Sequence, residues 1–258
     1  MEHLVEVTVN DQIGYLKMTR PEKLNALSKP LVEEILQALD DLSKNEEVKV
    51  IILSGEGKSF CAGGDIDSMK NMDNPYAAIS WINYVSSLSQ KLLSIDKYVI
   101  AAIHGYAAGA GFSIALAADF IVAEKDAKFA LSFTNIGLIP DLGLIKLLTE
   151  RVSPTVAKEW ISSGKVISAE EAQAYGIINK IAKTSVVEEA TVFAQFIVNG
   201  PMISNKYVKY LVNHVGELHK ETAFQQENMI QAMLLQTNDH KEGISSFFEK
   251  RPPQFTGK

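Results

Sequence analysis

The chain has 258 residues, 47% of them hydrophobic, which suits one sizeable domain or one domain with a smaller appendage. Its 31 acidic and 25 basic side chains leave a net charge of −6, which argues against a nucleic-acid-binding protein. One cysteine, Cys61, excludes an internal disulfide framework, and no HExxH or clustered His/Asp/Glu pattern occurs among the five histidines, so no metal site is expected.

The N-terminal MEHLVEVTVND opens with an acid and then alternates, unlike a signal peptide. Residues 4–9 read as a half-buried strand, Asn10-Asp11 as a turn, and residues 13–19 as the returning strand. Pro21 stops that strand and leaves 20–27, RPEKLNAL, as an exposed corner. Pro30 stands near a helix start, where its missing N–H does no harm, and Leu31, Ile35, Leu39 and Leu42 share one helical face. Residues 48–53 are a β-branched strand leading through Gly55-Glu56-Gly57-Lys58 into SFCAGGD, 59–65. A second helix begins after Asn74-Pro75 and runs to about residue 94.

The stretch 98–119 is the centre of the chain. Strand 99–103 enters a turn containing Gly105, Gly109 and Gly111, and apolar residues continue as a helix towards Asp119. Its glycines and His104 mark this run as core, not a membrane span, so a soluble cytoplasmic protein without membrane contact is expected. Strand, glycine turn and helix together aim unpaired backbone N–H groups at an incoming anion. The same layout also serves as a tight connection that binds nothing. Ile114 stands where a dinucleotide fingerprint needs its third glycine, and no Gly-Lys-Ser/Thr follows for a P-loop. Gly111-Phe112-Ser113-Ile114-Ala115 fits a nucleophile elbow with alanine for the last glycine. Ser113 then needs a histidine and an acid, and His214, His219 and His240 all fall late in the chain. If the 59–65 and 105–111 loops meet, one N–H from each makes an oxyanion hole.

Further strands are expected at 120–123 and 128–133, then a loop at 137–141 and a helix at 142–150. Ser153-Pro154 starts another helix, Ser168-Ala-Glu-Glu171 fits a capping box, Gly176 ends that helix, and 177–181 is a strand. Beyond Ser185 only helices follow, at about 186–198, 202–215, 222–235 and 241–248. The class is α/β, with a core over 1–199 and a helical module over 200–258.

Three motifs resemble the enoyl-CoA hydratase/isomerase (crotonase) superfamily: Arg20-Pro-Glu-Lys-Leu-Asn-Ala-Leu27, Ser59-Phe-Cys-Ala-Gly-Gly-Asp-Ile66 and Ala102-Ile-His-Gly-Tyr-Ala-Ala-Gly-Ala-Gly111. Ala127-Lys-Phe129, Gly137-Leu-Ile-Pro140, Ser168-Ala-Glu-Glu-Ala172 and the tail from Glu242-Gly243 to Arg251 extend the match in order along nearly the whole chain. The resemblance implies a crotonase spiral of ββα units, a C-terminal helical trimerisation module, a homotrimer or hexamer, and acyl-CoA as ligand. Coenzyme A enters as part of the substrate, with no separate cofactor. By the same resemblance the oxyanion donors are the N–H groups of Ala62 and Ala110. Lys23, Leu24 and Ala26 line the CoA, Asp65 and Ile66 flank the pantetheine, and Phe247 and Lys250 hold the nucleotide end. Residue type alone allows Asp65 to be a helix cap, and Lys23 and Lys250 to be solvated surface charges.

The two glutamates of a hydratase of this family correspond here to Ser113 and Phe133, neither of which can be a general base. One acid remains, Asp141, in a Gly-Leu-Ile-Pro-Asp context similar to the ring-1,2-epoxyphenylacetyl-CoA isomerases, where that aspartate is the base. Moving a double bond from the 3,4 to the 2,3 position needs one base and an oxyanion hole. Asp141 also fits as the N-cap of the 142–150 helix, and Leu138, Ile139 and Leu142 are the apolar neighbours that could desolvate it. His104 reads as a satisfied core histidine and Cys61 as a small buried apolar residue. The alternatives are a hydratase with unusual residues, an acyl-CoA thioester hydrolase, and a CoA-binding paralogue without catalysis.

Overall fold

The computed structural model describes residues 3–69 and 74–258. β1 (Val5–Asn10) and β2 (Ile13–Met18) form an antiparallel hairpin closed by Asp11 and Gln12, both at positive φ, the turn geometry that matches strand twist. After α1 (Lys29–Lys44), the strand β3 (Val50–Gly55) joins β2 in parallel. A single helical turn, α2 (Ile66–Met69), and the long α3 (Pro75–Ser94) lead to β4 (Tyr98–Ile103). Asn74 caps α3 by accepting the Tyr76 N–H at 2.9 Å.

The glycine-rich stretch holds a short strand that periodicity did not separate, β5 (Tyr106–Ala108), before α4 (Ala110–Ala117) and β6 (Phe120–Ala123). Then come β7 (Lys128–Ala130), α5 (Leu144–Thr149), α6 (Pro154–Ser163), β8 (Val166–Ser168), α7 (Ala169–Ala174) and β9 (Lys180–Ile181). The strands make a six-stranded sheet, β1-β2-β3-β4-β6-β9, and a three-stranded one, β5-β7-β8. β7 stops at Ala130 and β9 spans only two residues, shorter than the apolar runs suggest. Ser168 accepts the Glu171 N–H at 3.1 Å, but the other half of the expected capping box is replaced by an ion pair from Glu171 to Lys165 at 2.6 Å.

The parallel strands are covered on both faces, which explains why they read as continuous apolar runs. Ile51, Leu53, Val99, Ala101 and Ile103 join α1, α3 and the wholly buried α4 in the main core. Val50, Ile52, Ile100 and Ala102 pack against Val186, Ala190, Ala194 and Ile197 of α8 (Val186–Val198).

The last helices, α9 (Met202–His214), α10 (Lys220–Leu234) and α11 (Asn238–Glu249), leave Val212, Phe224, Met229, Phe247 and Phe248 more than half exposed. α9 is fastened to the core by Lys209, whose Nζ donates to Asp119 Oδ2 (2.8 Å), Leu92 O (2.9 Å) and Lys97 O (3.0 Å). Among the described residues, no helix is long and apolar enough to cross a membrane.

Candidate functional site

The two small-residue loops meet. Cys61 pairs with Ala107 as a parallel bridge, with Cys61 N–H donating to Tyr106 O at 3.0 Å and Ala108 N–H to Cys61 O at 2.9 Å. Glycine permits this approach: a Cβ on Gly63 would lie 2.8 Å from Ala108 O, and one on Gly111 would lie 2.3 Å from Cys61 O. Gly109, at φ 51 and ψ −124, takes a conformation closed to other residues and turns the chain into α4. The Ala110 N–H is the first of that helix, and it has no acceptor among the described residues.

Ala62 differs. Its N–H donates to Leu24 O at 2.9 Å, so the corner formed by residues 20–27 lies directly against this loop. Leu27 N–H donates to Gly63 O (2.7 Å) and Asp65 N–H to Leu27 O (3.2 Å), extending the strap. The corner holds two left-handed residues, Leu24 (φ 50) and Asn25 (φ 56). Asn25 is fully buried: its Oδ1 accepts the Arg20 N–H, and its Nδ2 donates to Glu56 O and Ser59 O, each at 2.9 Å. The sequence reading passed over Asn25, although asparagine's tolerance of left-handed backbone was a usable signal.

The remaining CoA-facing candidates are distributed unevenly. Lys23 Nζ lies 3.3 Å from Asp67 Oδ2, while Leu24 and Ile66 are exposed. Ala26 is half-buried, and its carbonyl accepts Arg20 Nη1 at 3.0 Å. The Asp65 carboxylate turns inward, accepting Arg20 Nη1 at 2.7 Å and the Asp67 N–H at 3.0 Å. Burial opposes ionisation of Asp65, but the Arg20 hydrogen bond and charge outweigh it and hold the carboxyl below its ordinary value. Phe247 and Lys250 are exposed at the end of α11, Lys250 as its left-handed C-cap. No hydrogen bond or ion pair among the described residues joins α11 to the segment 23–66.

Ser113 and Phe133 both lie near Gly109. Ser113 Oγ donates to Gly109 O at 3.4 Å, and the Phe133 ring would stand 3.8 Å from a Cβ on Gly109. No histidine hydrogen-bonds to Ser113 among the described residues: His104 Nε2 meets Gly57 O at 3.1 Å and His214 Nδ1 meets Tyr210 O at 2.7 Å. The nucleophile-elbow reading therefore fails for want of an activating base. His104 is half-buried, not a core residue. Burial pushes the Cys61 thiol up to about 12, so it stays an inert thiol that donates to Asn25 O at 3.1 Å. No cluster of three metal-ligating side chains occurs among the described residues.

Asp141 does not cap α5. That helix starts at Leu144, and its N-cap position is Gly143 (φ 84, ψ 3). Asp141 instead opens a tight turn: Leu144 N–H donates to Asp141 O at 3.1 Å across Leu142 (φ 52) and Gly143. Both central residues are left-handed, as in a type I′ turn, and for a leucine that backbone costs roughly 1–2 kcal/mol. Asp141 Oδ1 is buried without a hydrogen-bond partner. Burial raises its pKa to about 6 against a smaller lowering by its own N–H. Leu142 is buried as expected of a desolvating neighbour, whereas Leu138 and Ile139 are exposed. The chain thus offers two unpaired groups, the helix-start N–H of Ala110 and the buried Oδ1 of Asp141, whose carboxyl is held above its ordinary value by burial.

The enoyl-CoA hydratase/isomerase family profile matches residues 8–258. The mitochondrial enoyl-CoA hydratase of Pongo abelii is 35% identical over 95% of this chain and 84% of its own length. The 1,2-epoxyphenylacetyl-CoA isomerase of Escherichia coli K12 is 31% identical over 94% of each chain. The crystal structure of an enoyl-CoA hydratase from Bacillus anthracis superposes with a TM-score of 0.94 at 28% identity, covering 99% of this chain and 100% of that one.

Proposed function

The chain belongs to the enoyl-CoA hydratase/isomerase family and has the crotonase fold, and from that premise we propose that it isomerises an acyl-CoA thioester with Asp141 as its single acid/base. The reaction is migration of a double bond from the 3,4 to the 2,3 position, or the related isomerisation of a ring epoxide. The observation that carries this reading is the buried, unpartnered carboxylate oxygen of Asp141. A carboxyl with a pKa of about 6 is mostly ionised at neutral pH and still basic enough to take a proton.

In this mechanism the carboxylate removes a proton from C2. The freed electron pair spreads over C2, C3 and C4 and onto the thioester oxygen as a dienolate, and the same carboxyl returns the proton to C4. No water is consumed. The Ala110 N–H stabilises the oxygen anion, and the Ala62 N–H assists by bifurcating between the Leu24 carbonyl and that oxygen; each donor contributes roughly 3–4 kcal/mol. Lys23, Leu24, Ala26, Asp65 and Ile66 line the CoA, with Phe247 and Lys250 at its nucleotide end. Copies of the chain associate as a trimer or hexamer through the apolar side chains exposed on α9–α11.

Hydration is the second reading, favoured by relatives named as hydratases. It needs one group to activate water and another to handle the proton at C2. Ser113 and Phe133 offer neither, which ranks it below isomerisation.

The test is a product assay with 3-enoyl-CoA and 2-enoyl-CoA, using wild type and Asp141→Asn. Wild type should conjugate the 3-enoyl substrate, with kcat/KM rising through about pH 6 as Asp141 ionises. Asp141→Asn should lose about 10²–10⁴-fold in turnover. Hydration of 2-enoyl-CoA by both proteins would sink the single-base mechanism.

A further inference from the structure

The Pro140–Leu144 turn carries more strain than its connecting role requires. A type I′ turn favours glycine or asparagine at both central positions, yet the first is Leu142, at φ 52. A left-handed leucine persists only where its surroundings over-determine it. Here the side chain is 3% exposed and belongs to the main core, with Pro140 and Leu144 buried on either side. The second position, Gly143, is also left-handed, but a Cβ there would meet only Leu147 Cδ1, at 3.8 Å. The packing anchor of the turn is therefore Leu142, the residue directly after Asp141.

We propose that Leu142 is a positioning residue whose core-anchored, left-handed backbone keeps Asp141 Oδ1 buried and unpartnered. The inference rests on the reading of Asp141 as the base. A flexible turn would let that carboxylate rotate outwards and find water or backbone partners, which an oxygen kept for substrate cannot have. Charged groups of the packed elements do not supply the effect. α4 carries no titratable side chain, Lys146 pairs with Glu150 at 3.1 Å, and Arg151 donates to Leu116 O and Leu147 O.

Three variants test this with 3-enoyl-CoA. Leu142→Gly accepts the turn's backbone without strain but removes the anchor. Leu142→Val keeps most of the apolar volume but is β-branched, so it resists the left-handed region. Leu142→Met keeps both volume and flexibility. Glycine and valine should each lower kcat by about 10- to 100-fold and move the acid limb of the kcat profile below wild type, with KM held within about two-fold. Methionine should retain wild-type kcat and limb. A glycine or valine variant that folds and keeps both kcat and limb, losing only thermal stability, overturns the proposal. If glycine does not fold, the valine result decides alone. Asp141→Asn, run alongside, separates the two failures: turnover retained in it removes the base itself, whereas turnover lost in it but kept in the Leu142 variants removes only the anchor.

Discussion

Burial pushes two aspartates of this molecule above their ordinary carboxyl value, Asp119 and Asp141, and the fold treats them in opposite ways. Asp119, at the junction of α4 and β6, is 9% exposed in its side chain, and its Oδ2 accepts both Lys209 Nζ (2.8 Å) and the Val99 N–H (2.7 Å). Lys209 spans 90 positions of sequence to reach it, and two backbone carbonyls take its remaining donors. Asp141, in its strained turn, has a buried oxygen with no partner. Burial pushes both carboxyls up, but only Asp119 has a neighbouring cation opposing the push. A buried carboxylate that holds a cation and a backbone N–H is a fastener. One left unengaged is open to a partner from outside the chain, the role proposed above for Asp141.

The largest effect should come from breaking the fastener. Lys209→Met leaves Asp119 buried without its cation, and loss of one partner from such a pair costs about 3–5 kcal/mol. In a protein of this size that is a fall in Tm of roughly 2–4 °C per kcal/mol, measurable by calorimetry. The double variant Lys209→Met/Asp119→Asn should recover part of the loss, because the orphaned charge is gone. Turnover by the folded single variant at low temperature should match wild type. A Lys209→Met protein as stable as the parent would show that the contact, for all its burial, contributes little.

The same contrast marks what could be read from residues alone. Local patterns located the hairpin, the helix from Pro75 to Ser94, and the Ser153 and Ser168 caps, since each is decided within a few positions. Glycine spacing also located both small-residue loops. Their meeting depends on the Cys61–Ala107 bridge across 46 positions, which no local signal carries. β5 and β8, three residues each, escaped notice, β5 because it is embedded in the glycine-rich turn and β8 because it runs directly into the Ser168 cap of α7. Asp141 shows the limit most clearly. Aspartate before a helix predicts a cap, and the left-handed Leu142, invisible in residue type, accompanies the delay of the helix to Leu144, with Gly143 in the cap position. The Ala62 N–H is similar, since its acceptor is a backbone carbonyl of the 20–27 corner.

A smaller effect sharpens the comparison from the donor side, leaving both aspartates in place. Proline at Ala110 removes the free N–H while keeping a backbone suited to the first position of a helix, and the preceding glycine is extended in mirror image (φ 51, ψ −124). Ala110→Pro should keep its Tm within a few degrees and lower kcat by about 10²–10³-fold. Near-parental turnover in a folded Ala110→Pro protein would mean that the oxygen anion is stabilised elsewhere.

The smallest effect is the most direct test of how differently the two carboxyls are held. The folded-state pKa of Asp141, about 6, lies above its unfolded value of 3.8. Its contribution to stability is therefore fully present below about pH 3.8 and is lost as pH rises through about 6. At neutral pH the ionised side chain works against folding, and a shift of this size corresponds to at most about 3 kcal/mol. Asp141 as a whole is only half-buried, so about 1–2 kcal/mol is the expected share. Asparagine does not titrate. Asp141→Asn should thus gain stability over wild type between about pH 4.5 and pH 7.5, by roughly 2–4 °C in Tm per kcal/mol, while losing turnover. Asp119→Asn should be less stable than wild type at neutral pH, because it strands Lys209. Opposite signs for one substitution at two buried aspartates would show which is part of the scaffold and which is kept for chemistry. A stability difference for Asp141→Asn that stays flat across this range would mean that the carboxyl is solvated and has no raised pKa to bring to the reaction.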